Sequence, residues 1–381
     1  MHAALKKMSL LPAVAALPLL IACAIAAAAD VPKQADSGPL AAKAVSDALG
    51  AVLRADVPTA LTALKSAPVD QFNAKDATFR SCMLERHERK TPPALVGTAT
   101  DPLAKQTLEI YQRYWWQAVR DPASRPAEEK QLKTKLAALL GEQPPADGED
   151  AFEALTDRLS AELGKRGFHA LQGRTPPLYD LFLWGKQDEK DYTVDLPDGS
   201  KQPVRVFLMD EWVSRGWSRY SACETSGAAG WAKPEGLYAV RSAYGDLTGE
   251  DFQASFLGHE AQHFADLKRW PKMEPWVLEY RAKLTELFKS NTTYKNLLSK
   301  FYRSRDDNPD HPHPYANKKV IVDIVAKLGL PADTDLNQAD PLAVRKAASE
   351  VLIEDTRKRE AETPAKSEPA KGAGEAAKPK S

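Results

Sequence analysis

The sequence predicts an α+β chain, predominantly helical: a helical N-terminal region is followed by a small sheet packed on a helix that carries His259-Glu260-Ala261-Gln262-His263 and on a second helix that carries Glu279. Three observations predict this. Apolar residues recur at helical spacing through most of residues 40–170, as in Ala44-Val45, Ala48-Leu49 and Val52-Leu53. Extended signals begin near Tyr192, where Tyr192–Leu196 and Pro203–Leu208 flank the turn Pro197-Asp198-Gly199-Ser200 as a hairpin. Residues 248–267 and 275–288 then return to helical periodicity.

The chain divides into an export segment at 1–29, a helical region at 40–185, a site-bearing domain at 186–355 and a charged tail at 356–381. In the helical region the stretches Pro102–Val119, Leu132–Leu140 and Phe152–Leu163 are helices, the last two separated by the Pro144-Pro145 loop. The cluster Tyr111, Tyr114, Trp115 and Trp116 is read as core rather than as a sugar-stacking platform. His87 and His169 stand alone and are read as structural or surface groups. Leu237–Ala243 is a third strand, after a Gly227–Gly236 loop of small residues. The final helices span roughly Lys318–Leu328 and Leu342–Asp355, and the tail beyond, almost free of apolar residues, is expected to be disordered.

At the N-terminus Lys6 and Lys7 precede an uncharged run from Leu10 to Ala29 that reads as a secretory signal. Leu20-Ile21-Ala22-Cys23 resembles a bacterial lipobox, which would place lipid on Cys23; Ala27-Ala28-Ala29 is the competing cleavage site and would release a soluble protein. Ala24 after the cysteine resembles lipoproteins of the Gram-negative outer membrane. An exported chain leaves Cys82 and Cys223 in an oxidising compartment, where they either pair or persist as buried thiols. Lysine plus arginine equals aspartate plus glutamate at 52 each, so no strong field favours nucleic acid.

Thr248 is the expected N-cap of the first site helix, with Phe252, Phe256 and Leu257 as its apolar face and Pro271 ending it. Two histidines four apart on a helix share one face, so His259 and His263 can meet on a single zinc ion. Glu260 beside them is placed to accept a proton from water. Pro275 opens the second helix at its first position, and Glu279 on it is the expected third ligand. Asp266 shares the face of the histidines but lies too near in sequence to reach the same ion; a hydrogen bond to a ligand imidazole is its expected use, or a solvated surface.

With His259-Glu260-Ala261-Gln262-His263 and Glu279-Tyr280-Arg281-Ala282, the region resembles the gluzincin zinc metallopeptidases, in which a glutamate on a second helix completes the site. Position 283 is Lys, where some members carry an acid. Asp266 and Arg269 depart from the metzincin pattern. The resemblance covers about fifty residues and implies a Zn2+ cofactor, a peptide or protein substrate, and an edge strand that pairs with it, for which 237–243 is the expected segment. It also implies a group that stabilises the tetrahedral intermediate; His313 is chosen, with Tyr315 and His311 as rivals in the proline-stiffened loop 306–317. The expected function is hydrolysis of peptide bonds in the cell envelope, with contact to membrane only through a lipid anchor. The alternative is a catalytically silent metal-binding or scaffolding envelope lipoprotein.

Overall fold

A computed structural model describes residues 36–362, apart from 228 and 234. The segment 1–29 expected to direct export, Cys23 within it and the tail beyond Glu362 lie outside the described residues, among which no helix is long and apolar enough to cross a membrane. The fold is mixed α+β, with N-terminal helices, a curled five-stranded sheet and then further helices.

The N-terminal helices are α1 (Pro39–Leu53), α2 (Val57–Ser66), α3 (Ala74–His87), α4 (Pro102–Arg120), α5 (Arg125–Leu139) and α6 (Glu149–Gly164). Their starts are chemically marked: Asp56, Asn73 and Asp101 accept hydrogen bonds from backbone N–H groups of the following turn, and Pro58 and Pro102 occupy first-turn positions. Helix α4 is the hub. Tyr111, Tyr114, Trp115 and Trp116 are buried as expected of core, and Trp115 Nε1 donates to the Tyr179 carbonyl at 2.8 Å while Trp116 Nε1 donates to that of Arg86 at 2.8 Å. The indole N–H groups are thereby satisfied inside an apolar layer, which burial requires.

Strands begin earlier than the alternation near Tyr192 implied. The sheet comprises β1 (His169–Thr175), β2 (Leu178–Asp195), β3 (Lys201–Arg215), β4 (Gly230–Lys233) and β5 (Gly236–Val240), in the order β1-β2-β3-β5-β4. The first half of β2, Leu178–Trp184, is almost wholly buried, so it lacks the polar alternation that marks a half-exposed strand. The hairpin between β2 and β3 is the predicted one, Val194 facing Gln202 and Asp195 facing Lys201. The short helix α7 (Gly216–Ser221) carries the chain across, so that β5 runs parallel to β3 while β4 folds back antiparallel on β5.

That arrangement corrects the expected substrate-pairing edge. Segment 237–240 is interior, hydrogen-bonded on both sides, and the edge beyond it is β4, formed from the stretch expected to be a loop. Gly230 permits this: a Cβ there would stand 2.6 Å from the Tyr238 carbonyl oxygen and 2.4 Å from the Phe256 ring. Cys82 and Cys223 form a disulfide, joining α3 to the end of α7; this pairing fits an oxidising, extracytoplasmic setting.

One face of the sheet, with Val204, Val206, Leu208, Leu237 and Ala239, packs on Phe252, Phe256, Leu257 and Ala261 of the site helix. The C-terminal helices are α10 (Pro275–Lys289), α11 (Tyr294–Arg303), α12 (Pro312–Lys327) and α13 (Pro341–Glu362), which bury a second core around Leu284, Leu298, Ile324 and Leu352. Helix α13 continues to Glu362 with Thr356 buried, so the first residues of the supposed tail are helical; Thr356 donates back to the Leu352 carbonyl and accepts from Arg281.

Candidate metal centre

The site helix is built in three pieces: α8 (Glu250–Phe252), a π-helical turn at Gln253–Gly258, and α9 (His259–Arg269). Thr248 is not its cap; the Thr248 hydroxyl turns to Asp246, and Gly249 precedes the first turn. The π turn ends where the histidines begin, a placement that such turns often take at functional sites. Helix α9 stops at Arg269, before Pro271, and α10 starts at Pro275, as the proline positions predicted.

Two clamps hold this helix against α10. At its start the Glu250 carboxylate accepts the backbone N–H groups of Asn291, Thr292 and Thr293 at 2.7, 2.9 and 3.0 Å. Burial works against that charge, but the three N–H donors win and draw the carboxyl down to about 2. Past the histidines, Asp266 receives Arg281 Nε and Nη2 at 2.8 and 2.9 Å, and Gln262 bridges Asp266 to Thr285. Asp266 therefore binds a guanidinium instead of the imidazole expected for it. Burial opposes charge on Arg281, yet Asp266 and Asp355 outweigh it and keep the guanidinium protonated.

Between the clamps His259, His263 and Glu279 converge. His259 Nε2 and His263 Nε2 are 3.2 Å apart, and Glu279 places Oε1 3.4 Å from His263 Nε2 and Oε2 3.6 Å from His259 Nε2. A tetrahedral ion with ligand bonds of about 2.0–2.1 Å has ligand-to-ligand edges of about 3.3 Å; with one atom taken from each residue, the three groups lie within 4.8 Å of one another, so small side-chain adjustments bring them onto a common metal. Glu279 Oε2 is buried, with His313 Nδ1 at 2.7 Å and His259 Nε2 at 3.6 Å beside it. Burial would raise the Glu279 carboxyl, but His263, His313 and His259 beside it hold it well below the usual carboxylate range. Burial would likewise strip the proton from His263, and Glu279 reverses this and raises it. These three residues form a group that could hold a metal ion.

No family model, no curated protein and no solved structure matches the chain. The assignment therefore stands on geometry alone.

The three residues weighed in segment 306–317 take different positions. His313 lies on the first turn of α12 with Nδ1 2.7 Å from Glu279 Oε2, while its side chain is 68% exposed. His311 turns away to Asp306 at 2.7 Å, and Tyr315 packs edge-on against Trp276. Glu260 is half-buried on α9, close enough to Tyr244 for its charge to add to burial in raising that phenol. Sequence reasoning missed two neighbours, both on α10. Lys283 Nζ stands 3.8 Å from Glu279 Oε2, and Glu286 Oε2 stands 3.5 Å from His259 Nδ1. The signal for Glu286 was its spacing of seven from Glu279, two helical turns along one face.

Proposed function

We propose that the chain is a zinc-dependent peptidase of gluzincin type acting on peptides or proteins in the bacterial envelope. The observation that carries this reading is the convergence of His259, His263 and Glu279, whose ligand atoms lie within 4.8 Å of one another, with Glu260 following the first histidine on the same helix. Two nitrogens and one carboxylate make a donor set suited to zinc, and three protein ligands leave one position open, as hydrolysis needs and a closed structural site does not. Zinc held there supplies Lewis acidity, polarising a carbonyl and lowering the pKa of water toward neutrality.

The chain's own residues carry the rest. Glu260 takes the proton from the attacking water and delivers it to the leaving amine. His313, at the exposed mouth beside Glu279, donates to the carbonyl oxygen as charge gathers on it. The edge of β4 leaves backbone groups on the border of the sheet that packs on the site helix, and an extended substrate pairs there. The lipobox-like Leu20-Ile21-Ala22-Cys23 and the Cys82–Cys223 bond support an exported protein anchored to the outer membrane.

The test compares wild type with Glu260→Gln on an unfolded protein substrate. The reading expects equal zinc content and a loss of hydrolysis of at least 100-fold in the variant. Zinc in both proteins with no cleavage by wild type would leave a metal-binding envelope protein in its place.

A further inference from the structure

A ligand histidine has two nitrogens, and the one that does not face the metal decides which tautomer the ring adopts. His259 directs Nε2 at His263 and Glu279, so Nδ1 lies on the opposite edge of its ring. The group on that edge is Glu286 Oε2 at 3.5 Å, the outer limit of a hydrogen bond, which a small ring rotation brings to the ordinary range of roughly 2.7–3.2 Å. Glu286 is 7% exposed, and against the pull of that burial Ser255 of the π-helical turn is near enough to help hold its carboxyl below the usual range, after the larger effect of His259. Lys283, between Glu279 and Glu286 on the same helix, cannot take this part, because an ammonium only donates and its charge is turned to Glu279.

The partner imidazole shows the contrast. His263 Nδ1 is buried and has no hydrogen-bond partner. Of the two rings, only His259 has a carboxylate at its rear nitrogen among the described residues. A buried carboxylate is costly unless its lone pairs are used. Asp266, the neighbouring buried acid, meets that cost with a guanidinium; Glu286 has Ser255 and the edge of an imidazole.

Resting on the metal-site reading above, we infer that Glu286 is a positioning residue that accepts the Nδ1–H of His259, so that Nε2 keeps its lone pair and points at the metal. Ser255 fixes Glu286 in turn, which gives the π-helical turn a purpose: it offers a hydroxyl to α10 one turn before the first ligand. The site is then a relay of Ser255, Glu286 and His259, spanning two helices.

The experiment uses Glu286→Gln and Glu286→Leu in the folded mature protein, with two readouts. Zinc affinity, by competition with a chromogenic chelator, falls 10–100-fold in Glu286→Leu and less in Glu286→Gln, whose amide oxygen still accepts. In the metal-free proteins, long-range 1H–15N spectra of the imidazoles show His259 as the Nδ1–H tautomer in wild type and shifted toward Nε2–H in Glu286→Leu. A purely structural role would leave that tautomer unmoved. Zinc affinity within twofold of wild type in both variants, with the His259 tautomer unchanged, overturns the inference while leaving the metal site standing. A wild type that binds no zinc defeats the metal-site reading instead, and the tautomer still reports on Glu286.

Discussion

Replacing Arg281 by alanine removes the clamp that fixes α9 on α10. The guanidinium side chain is 0% exposed, and that of its partner Asp266 is 1% exposed. Four bonds from the guanidinium vanish: two to Asp266 at 2.8 and 2.9 Å, one to Asp355 at 2.6 Å and one to the Thr356 hydroxyl at 3.0 Å. Asp355 keeps Arg359 at 2.8 Å, so it is not stranded. Asp266 keeps only Gln262, and its charge is left inside the protein. Breaking a buried pair from one side costs about 3–5 kcal/mol, and with an m-value of about 2–3 kcal/mol/M the urea midpoint drops by about 1–2 M. The loss should shrink as pH falls and Asp266 takes up a proton. Removing both charges in Arg281→Met/Asp266→Leu leaves nothing unpaired at Asp266 and recovers most of the stability. A single variant within 1 kcal/mol of wild type, or a double variant as unstable as the single, would refute this reasoning.

Other expectations concern the N-terminal half. His87 is buried with Nε2 2.9 Å from the Ser221 carbonyl, and burial drives its pKa from 6.5 down to about 4. The unfolded chain therefore binds a proton that the folded chain refuses, so this histidine's contribution is present above pH 6.5 and lost as pH falls toward 4, by up to about 3 kcal/mol. Asp180, raised by burial from 3.8 to about 6, works with the opposite sign: its contribution is present below 3.8 and lost as pH rises through 6. Unfolding curves of wild type and His87→Gln at pH 7 and 5 isolate the first effect, and an unchanged difference between the two proteins would contradict it. Cys82→Ser, or reduction of the disulfide, should lower stability by about 2–5 kcal/mol in calorimetry, because the bond closes a loop of 141 residues. An unaltered transition would speak against the bond.

The residues whose chemistry is local were legible in the sequence. The spacing of His259 and His263, the proline that opens α10 and the one that follows α9 all act within a turn or two, and the α4 aromatics announce a core by sheer apolar mass. What was hidden depends on long-range pairing. Segment 237–240 has the composition of an edge or an interior strand alike, and only the folding back of Gly230–Lys233 decides between them. The first half of β2 is buried on both faces and carries no period-2 signal. Asp266 sits on the histidine face of α9, but its partner comes from fifteen residues away on α10, and Glu286 acquires a role only when that helix is laid beside the site helix. His313 was assigned to a loop because the two prolines beside it suggest a break; Pro312 instead opens α12.

Metal content of the folded protein tests the central claim most directly, with wild type measured beside Glu279→Gln after excess zinc has been supplied and then removed. The account predicts about one zinc per wild-type chain and strongly weakened retention in the variant, because the Glu279 carboxylate is one of only three protein ligands. A folded wild type that retains no zinc, or a variant that holds it as firmly as wild type, would contradict it.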